Sequence, residues 1–383
     1  MGWETLWKYQ TVDYVRTAAV LKNTDLHIRM RSSLRGNRIR IEFANTYGNE
    51  PLTFESVIVS NGTDKSTVLH QKRSRITINP GERFFSDAIE SDIEPGDEVW
   101  IHLYIKDENR INAFASTWAS KSWSVEYEQG AVEEIFPLMR EEKVKPSILF
   151  GISQVQVQSK EEVQYLYMFG DSITHMSFYT DPVQEWISRN AKGKYSLINA
   201  GICGNRVLRD GIYGDRFWGK GREMGGAGIR RAGADIRERD HIAVAVVLEG
   251  INDILQPYQE NKQEEVVTPV ELCKGLADIV NDLKRKSGRV YLGTITPFQK
   301  DGMTYAAQCE ELRLECNRWI RSQNVSDGVI DFDRVIRNPE CPAQISPELS
   351  MPDGVHPNAA GGRKMADEMI KVCLQGVVSS EKV

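Results

Sequence analysis

No stretch of the 383-residue chain approaches the roughly 20 consecutive apolar residues that would cross a bilayer as a helix. The start, Met1-Gly-Trp-Glu-Thr-Leu-Trp-Lys, lacks the basic region and apolar core of a secretory signal, so a cytoplasmic protein is expected. Charge of either sign is not in large excess. A net charge of −6 and a pI near 5.7 argue against nucleic acid or an anionic membrane as a partner. Cysteine is absent before position 203, and none of the six forms C-x-x-C, which favours free buried thiols over disulfides or a metal cluster. The chain holds no H-E-x-x-H and no G-x-S-x-G, so neither a zinc protease nor the usual α/β-hydrolase elbow fits. Internal repeats and low-complexity segments are missing too.

What is present falls into two regions. At this length two domains are expected. Residues 26–130 carry short runs of alternating polarity, such as Arg38-Ile-Arg-Ile-Glu-Phe43, with others near 26–30, 53–59, 75–78, 98–105 and 122–127. Turn signals separate them, among them Asn61-Gly62, Pro80-Gly81 and Pro95-Gly96. Half-buried antiparallel strands at this spacing predict an all-β sandwich of jelly-roll type over 1–160. Residues 161–383 alternate strand and helix instead. Strands are expected near 165–169, 195–199, 242–248, 289–295 and 328–332. Helices are expected near 180–191, 226–238, 268–286, 304–323 and 358–375. That alternation predicts an α/β fold with a parallel sheet covered on both faces.

Three of these strands end in groups that carry chemistry. Tyr165-Leu-Tyr-Met-Phe169 runs into Gly170-Asp171-Ser172, which puts a serine past a strand's C-terminal edge, where open α/β sheets bind ligands. A serine there usually caps a helix, and it becomes a nucleophile only beside a base. His356 is the best base among only six histidines. It lies three residues after Asp353 in a loop braced by Pro352 and Pro357, so one carboxylate could orient the imidazole while the other ring nitrogen stays open. A second strand ends at Gly201-Ile-Cys-Gly204-Asn205, where a glycine lets a backbone N–H approach a substrate oxygen. A third ends at Glu249-Gly-Ile-Asn252-Asp253, and Asn252 can aim an amide N–H at an oxyanion.

Together, Gly170-Asp171-Ser172-Ile173, Gly204, Gly250-Ile-Asn252-Asp253 and Asp353-x-x-His356 resemble the four blocks of the SGNH, or GDSL-type, hydrolases. The resemblance covers roughly residues 161–375. It implies a flavodoxin-like strand order, Ser172 as nucleophile, His356 as base and Asp353 as its orienter. The Ser172 N–H, the Gly204 N–H and the Asn252 side chain would form the oxyanion hole, and no cofactor is implied. Ile173 stands where leucine is usual, and Cys203-Gly204-Asn205 where Ser-Gly-Asp is common. The two-domain order, the Ala-Gly-Ile-x-Gly-Asn-Arg block and Glu-Gly-Ile-Asn-Asp also resemble a bacterial subgroup with a β-rich N-terminal region.

Residues 201–233 hold ten glycines and six arginines, yet they fit no phosphate loop; a rim loop is expected. Asp171, Arg206, Arg209 and Trp218 are the candidates at the substrate rim, with Arg206, Arg209 or Trp218 expected to contact the alcohol part of a substrate. His175, three residues after Ser172, is read as packing, as are Trp118, Trp123 and Tyr127, whose rings could otherwise stack on sugars. The resulting expectation is an esterase removing short acyl groups, acetyl above all, from carbohydrates. A lipase- or thioesterase-like acylhydrolase on longer chains is the second reading, and a non-catalytic sugar-binding protein the third. Small-molecule or oligosaccharide esters are the expected partners, and homo-oligomerisation stays open.

Overall fold

The computed structural model describes residues 2–62, 64–128, 146–211, 222–234, 236, 241–300, 302–303 and 306–374. The chain divides into two compact units, with the break between Val163 and Gln164, except that Gln184–Ile198 groups with the first unit.

The first unit is all β over its N-terminal region. One five-stranded sheet runs Gly2–Lys8, Ile152–Ser159, Gly36–Ala44 and Arg83–Phe85, with Ile89–Ile93 also paired to Gly36–Ala44. The other runs Trp123–Glu128, Thr24–Arg31, Glu98–Ile105, Ser56–Asn61 and Asp64–Thr67. The printed pairings in both are antiparallel. Alternation in sequence becomes alternation in burial: along Thr24–Arg31 and Glu98–Ile105 every second residue is buried. The Gly2–Lys8 strand is invisible to that pattern. Thr5, Leu6 and Trp7 are buried in succession, because the register with Ile152–Ser159 shifts between Thr5 and Trp7. Trp123 is fully buried and packs edge-on against Trp7 and Tyr9, with ring centroids 5.3 and 5.1 Å away. The Tyr127 hydroxyl donates to the Ile148 carbonyl at 2.6 Å. These rings serve packing, as does the buried Trp118.

Five further strands, all in the second unit except the start of Tyr195–Gly201, form one sheet in the order Tyr195–Gly201, Gln164–Gly170, Ile242–Leu248, Ser287–Gly293 and Gly328–Ile330. Numbered along the chain this is 2-1-3-4-5, the flavodoxin-like order. The pairings from Gln164–Gly170 through Gly328–Ile330 are parallel. The three strands on one side are buried almost without a break, as strands covered on both faces must be. Thr268 begins the Pro269–Lys284 helix with a full capping box, its side chain and that of Glu271 bonding each other's backbone N–H.

Two expectations about helices change. The helix expected over 226–238 is a single turn, Gly228–Arg231, because Gly233 takes φ = +66° just beyond it. A nine-residue helix, Ile251–Gln259, follows the third strand instead. Pro257 near its end hides it from a sequence reading, since proline usually marks a boundary.

Candidate active site

Each part of the site stands where a strand stops. After Gln164–Gly170, Asp171 is the N-cap of a short helical turn, Ser172–His175, and its Oδ1 accepts the Ile173 N–H at 2.9 Å. Asp171 is only 1% exposed. It is a buried cap, not a rim residue, and the reading of it as a substrate contact is corrected. Burial pushes its carboxyl up to about 7, against the opposing pull of the Ile173 N–H and the charges of His356 and Arg231. Ser172 follows, with its side chain at the edge of the sheet.

The base arrives from 184 residues further along the chain. His356 Nε2 lies 2.7 Å from Ser172 Oγ, and His356 Nδ1 lies 2.6 Å from Asp353 Oδ2. Asp353 Oδ1 accepts the N–H groups of Val355 at 2.8 Å and His356 at 2.9 Å. Burial alone would raise the Asp353 carboxyl. The hydrogen bond and charge of His356 and the two backbone donors outweigh it and hold the group at about 2. An ionised Asp353 keeps the proton of a neutral His356 on Nδ1, which leaves Nε2 to accept from the Ser172 hydroxyl.

The turn after Tyr195–Gly201 supplies Gly204 at φ = +74°, a region that favours glycine. A Cβ there would also press on the Met224 side chain, 2.7 Å from its Cγ. Gln256 Nε2 donates to the Gly204 carbonyl at 2.7 Å, anchoring the Gly204–Asn205 peptide next to the one that carries the Gly204 N–H. Asn252, in the first turn of Ile251–Gln259, donates from Nδ2 to the Asn205 carbonyl at 3.0 Å. The structure thus brings Ser172, Asp353 and His356 into one hydrogen-bonded chain, and ties Asn252 to the turn that carries Gly204.

The remaining candidates separate. Arg206 is 3% exposed, with its guanidinium bound to Glu265 at 2.7 Å and to the Asp210 carbonyl, so it braces the loop from inside and does not line a rim. Arg209 is exposed. Trp218 lies outside the described residues. His175 is buried, with Nδ1 3.1 Å from the Gly201 carbonyl, and burial pushes its imidazole down to about 4.

Sequence reasoning missed two supports. Asp253 accepts the Val207 and Leu208 N–H groups at 2.7 and 3.0 Å, pinning the chain just after the Gly204 turn, and burial raises its carboxyl to about 6. The G-I-N-D string shows the residue but not its partners. Arg231 touches four acceptors around the site, and nothing in sequence distinguishes it from its neighbouring arginines. Among the described residues no cluster of three or more His, Cys, Asp or Glu could hold a metal ion, and no helix is long and apolar enough to cross a membrane.

A serine, an imidazole and a carboxylate in this relay, at the strand ends of an α/β sheet, form the arrangement on which serine-nucleophile hydrolases rely. Residues 168–364 match the model of the GDSL-like lipase/acylhydrolase family, and the chain belongs to that family. None of the curated proteins matches the chain. Solved structures that resemble it include a catalytic mutant of Axe2, an acetylxylan esterase from Geobacillus stearothermophilus, at 18% identity and a TM-score of 0.41, over 56% of this chain and 95% of that one. A lipolytic protein of the G-D-S-L family from Veillonella parvula is 20% identical, with a TM-score of 0.37, over 56% of this chain and all of that one. TesA is 18% identical, with a TM-score of 0.39, over 56% of this chain and 99% of that one. Likeness at this level says nothing of this chain's substrate.

Proposed function

We propose that this acyl-ester hydrolase works through a Ser172 acyl-enzyme and that its natural substrates are short-chain, chiefly acetyl, esters of carbohydrates. The observation that carries the catalytic part is the relay from Ser172 Oγ through His356 to Asp353, with both links under 3 Å at 2.7 and 2.6 Å. His356 Nε2 takes the Ser172 proton as Oγ bonds to the ester carbonyl carbon. The carbonyl oxygen becomes an oxyanion, held by the Ser172 and Gly204 N–H groups and Asn252 Nδ2. The C–O bond to the alcohol then breaks, and the alcohol leaves with the proton from His356. Water, deprotonated by the same imidazole, attacks the acyl-serine and releases the carboxylic acid. The charge of Asp353 stabilises the imidazolium that forms in each half of the reaction.

The carbohydrate part rests on the resemblance of the sequence to the SGNH hydrolases. The test has two arms. Ser172→Ala should lower hydrolysis of p-nitrophenyl acetate by about 10⁴-fold or more; undiminished turnover would end the nucleophile reading. The wild-type protein should release acetate from acetylated oligosaccharides and hydrolyse p-nitrophenyl acetate much faster than the octanoate. The reverse order of acyl preference would favour the long-chain acylhydrolase.

A further inference from the structure

We propose that Arg231 is the positioning residue that sets the distance between the nucleophile and the oxyanion donors; this rests on the reading of Ser172 given above. Arg231 ends the Gly228–Arg231 turn, and only 14% of its side chain is exposed. Its guanidinium has all three nitrogens engaged. Nη1 donates to the Ala200 carbonyl at 2.7 Å, Nη2 to the Gly170 carbonyl at 2.8 Å and to Glu249 Oε1 at 3.0 Å, and Nε to Asn205 Oδ1 at 2.7 Å. The Phe169 ring lies flat to one side, 4.0 Å from Cζ to the ring centroid.

Those acceptors sit at the C-terminal ends of three neighbouring strands. Each end bears one part of the reaction. Gly170 precedes Ser172 by two positions, Ala200 and Asn205 bracket Gly204, and Glu249 precedes Asn252 by three. The link through Asn205 goes further, because the Asn205 carbonyl also receives the Asn252 amide at 3.0 Å. One rigid, planar group therefore gauges the spacing of serine, glycine and asparagine. Arginine suits the task because its N–H donors leave in fixed directions within one plane; a lysine ammonium is a point charge that cannot reach all four acceptors together. A misplacement of 1 Å remote from the reacting atoms can cost about 100-fold in rate.

Arg231 could instead matter only as a counter-charge to the buried Asp171 and Glu249, and lysine separates the two roles. Wild type, Arg231→Lys, Arg231→Gln and Ser172→Ala are compared at full length with p-nitrophenyl acetate, and with phenylboronic acid, which adds to a serine Oγ as a tetrahedral adduct. If Arg231 positions the donors, Arg231→Lys lowers kcat by about 100-fold while KM stays within about twofold. Boronate affinity falls by about the same factor as kcat/KM. Wild-type kcat and boronate affinity in Arg231→Lys would overturn the proposal, and so would a raised KM with kcat intact. Should neither Arg231 variant fold, Asn205→Asp, which keeps an acceptor for Nε but loses the amide's bonds to the Met224 and Gly226 carbonyls, and Asn205→Ala, which loses both, are compared: a kcat loss in Asn205→Ala well beyond that in Asn205→Asp is expected, and equal losses would overturn the proposal. An active Ser172→Ala defeats the nucleophile reading itself, whereas an inactive one beside an unimpaired Arg231→Lys defeats only the role of Arg231.

Discussion

The loop that carries His356 is held mostly by itself, and the turn that carries Gly204 is held from elsewhere. In the loop, Asp353 takes the N–H groups of Val355 and His356, Met351 N–H bonds the His356 carbonyl at 2.8 Å, and Gly354 N–H bonds the Met351 carbonyl at 3.1 Å. Asn358 closes it, donating to the carbonyls of Glu348 and Ser350 at 2.9 and 3.1 Å. From outside that stretch come the Ser172 hydroxyl, 2.7 Å from His356 Nε2, and exposed Lys300, whose Nζ reaches the Pro352 carbonyl at 3.2 Å. Among the described residues the Gly204 turn has a single local bond of that kind, Asn205 N–H to the Ile202 carbonyl at 3.2 Å. Its other anchors are Gln256, Asn252 and Arg231, together with the Met224 and Gly226 carbonyls that receive the Asn205 amide. The His356 loop is thus a local device, and the Gly204 turn a property of the whole sheet edge.

That contrast can be sharpened by mutation. The largest effect should come from the base: His356→Ala should lower kcat by about 10⁴-fold or more, and the double variant with Ser172→Ala should be no worse than either alone, because relay members act as a unit. Full additivity in steady-state rates would break the relay. Asn252→Ala should follow, with kcat down about 10²–10³-fold and KM little changed; a KM effect alone would make Asn252 a substrate-binding residue. Next comes a direct comparison of supports. Gln256→Leu removes the anchor on the Gly204 carbonyl and should slow kcat about tenfold, the factor that goes with a net hydrogen bond of roughly 1–1.5 kcal/mol. Lys300→Ala removes an outside support of the base loop and should leave kcat within about twofold, since an exposed hydrogen bond contributes little. Equal losses in the two variants would erase the distinction between the segments.

The smallest expected effect is on stability against acid. Asp353 titrates at about 2 in the folded protein, below the ordinary carboxylate value near 4. A depressed pKa means stabilisation that is complete above the unfolded value and lost as pH falls through the folded one. The urea midpoint of wild type should therefore exceed that of Asp353→Asn at neutral pH, and the gap should narrow between about pH 4 and pH 2. A gap that stays constant over that range would show that Asp353 contributes no ionisation-linked stability.

The same contrast explains what a sequence can reveal here. Asp353 and His356 are three positions apart and bond each other, so their partnership is written in the string Asp-Gly-Val-His. Ser172, Gly204 and Asn252 are legible one at a time, as polar residues closing apolar runs. The 2-1-3-4-5 sheet order brings their strand ends side by side, with the Ser172 strand between the other two. Arg231 escapes because two of its four acceptors are backbone carbonyls, which every sequence has, and the other two, Asn205 and Glu249, lie 26 and 18 positions away. Arg206 misleads for the opposite reason: an arginine in a glycine-rich stretch reads as exposed, and only the fold supplies Glu265 and the Asp210 carbonyl to bury it. The Gly2–Lys8 strand was hidden by a bulge that breaks its alternation, and the Ile251–Gln259 helix by Pro257.

The central claim is that Ser172 is activated by His356, and active-site labelling tests it most directly. Wild type is treated with a fluorophosphonate, which forms a stable phosphonyl ester on an activated serine, and the adduct is mapped by peptide mass spectrometry. The account predicts one adduct, on the peptide containing Ser172, and its loss in His356→Ala. An adduct on another residue, or labelling of Ser172 that proceeds unchanged without His356, would contradict it.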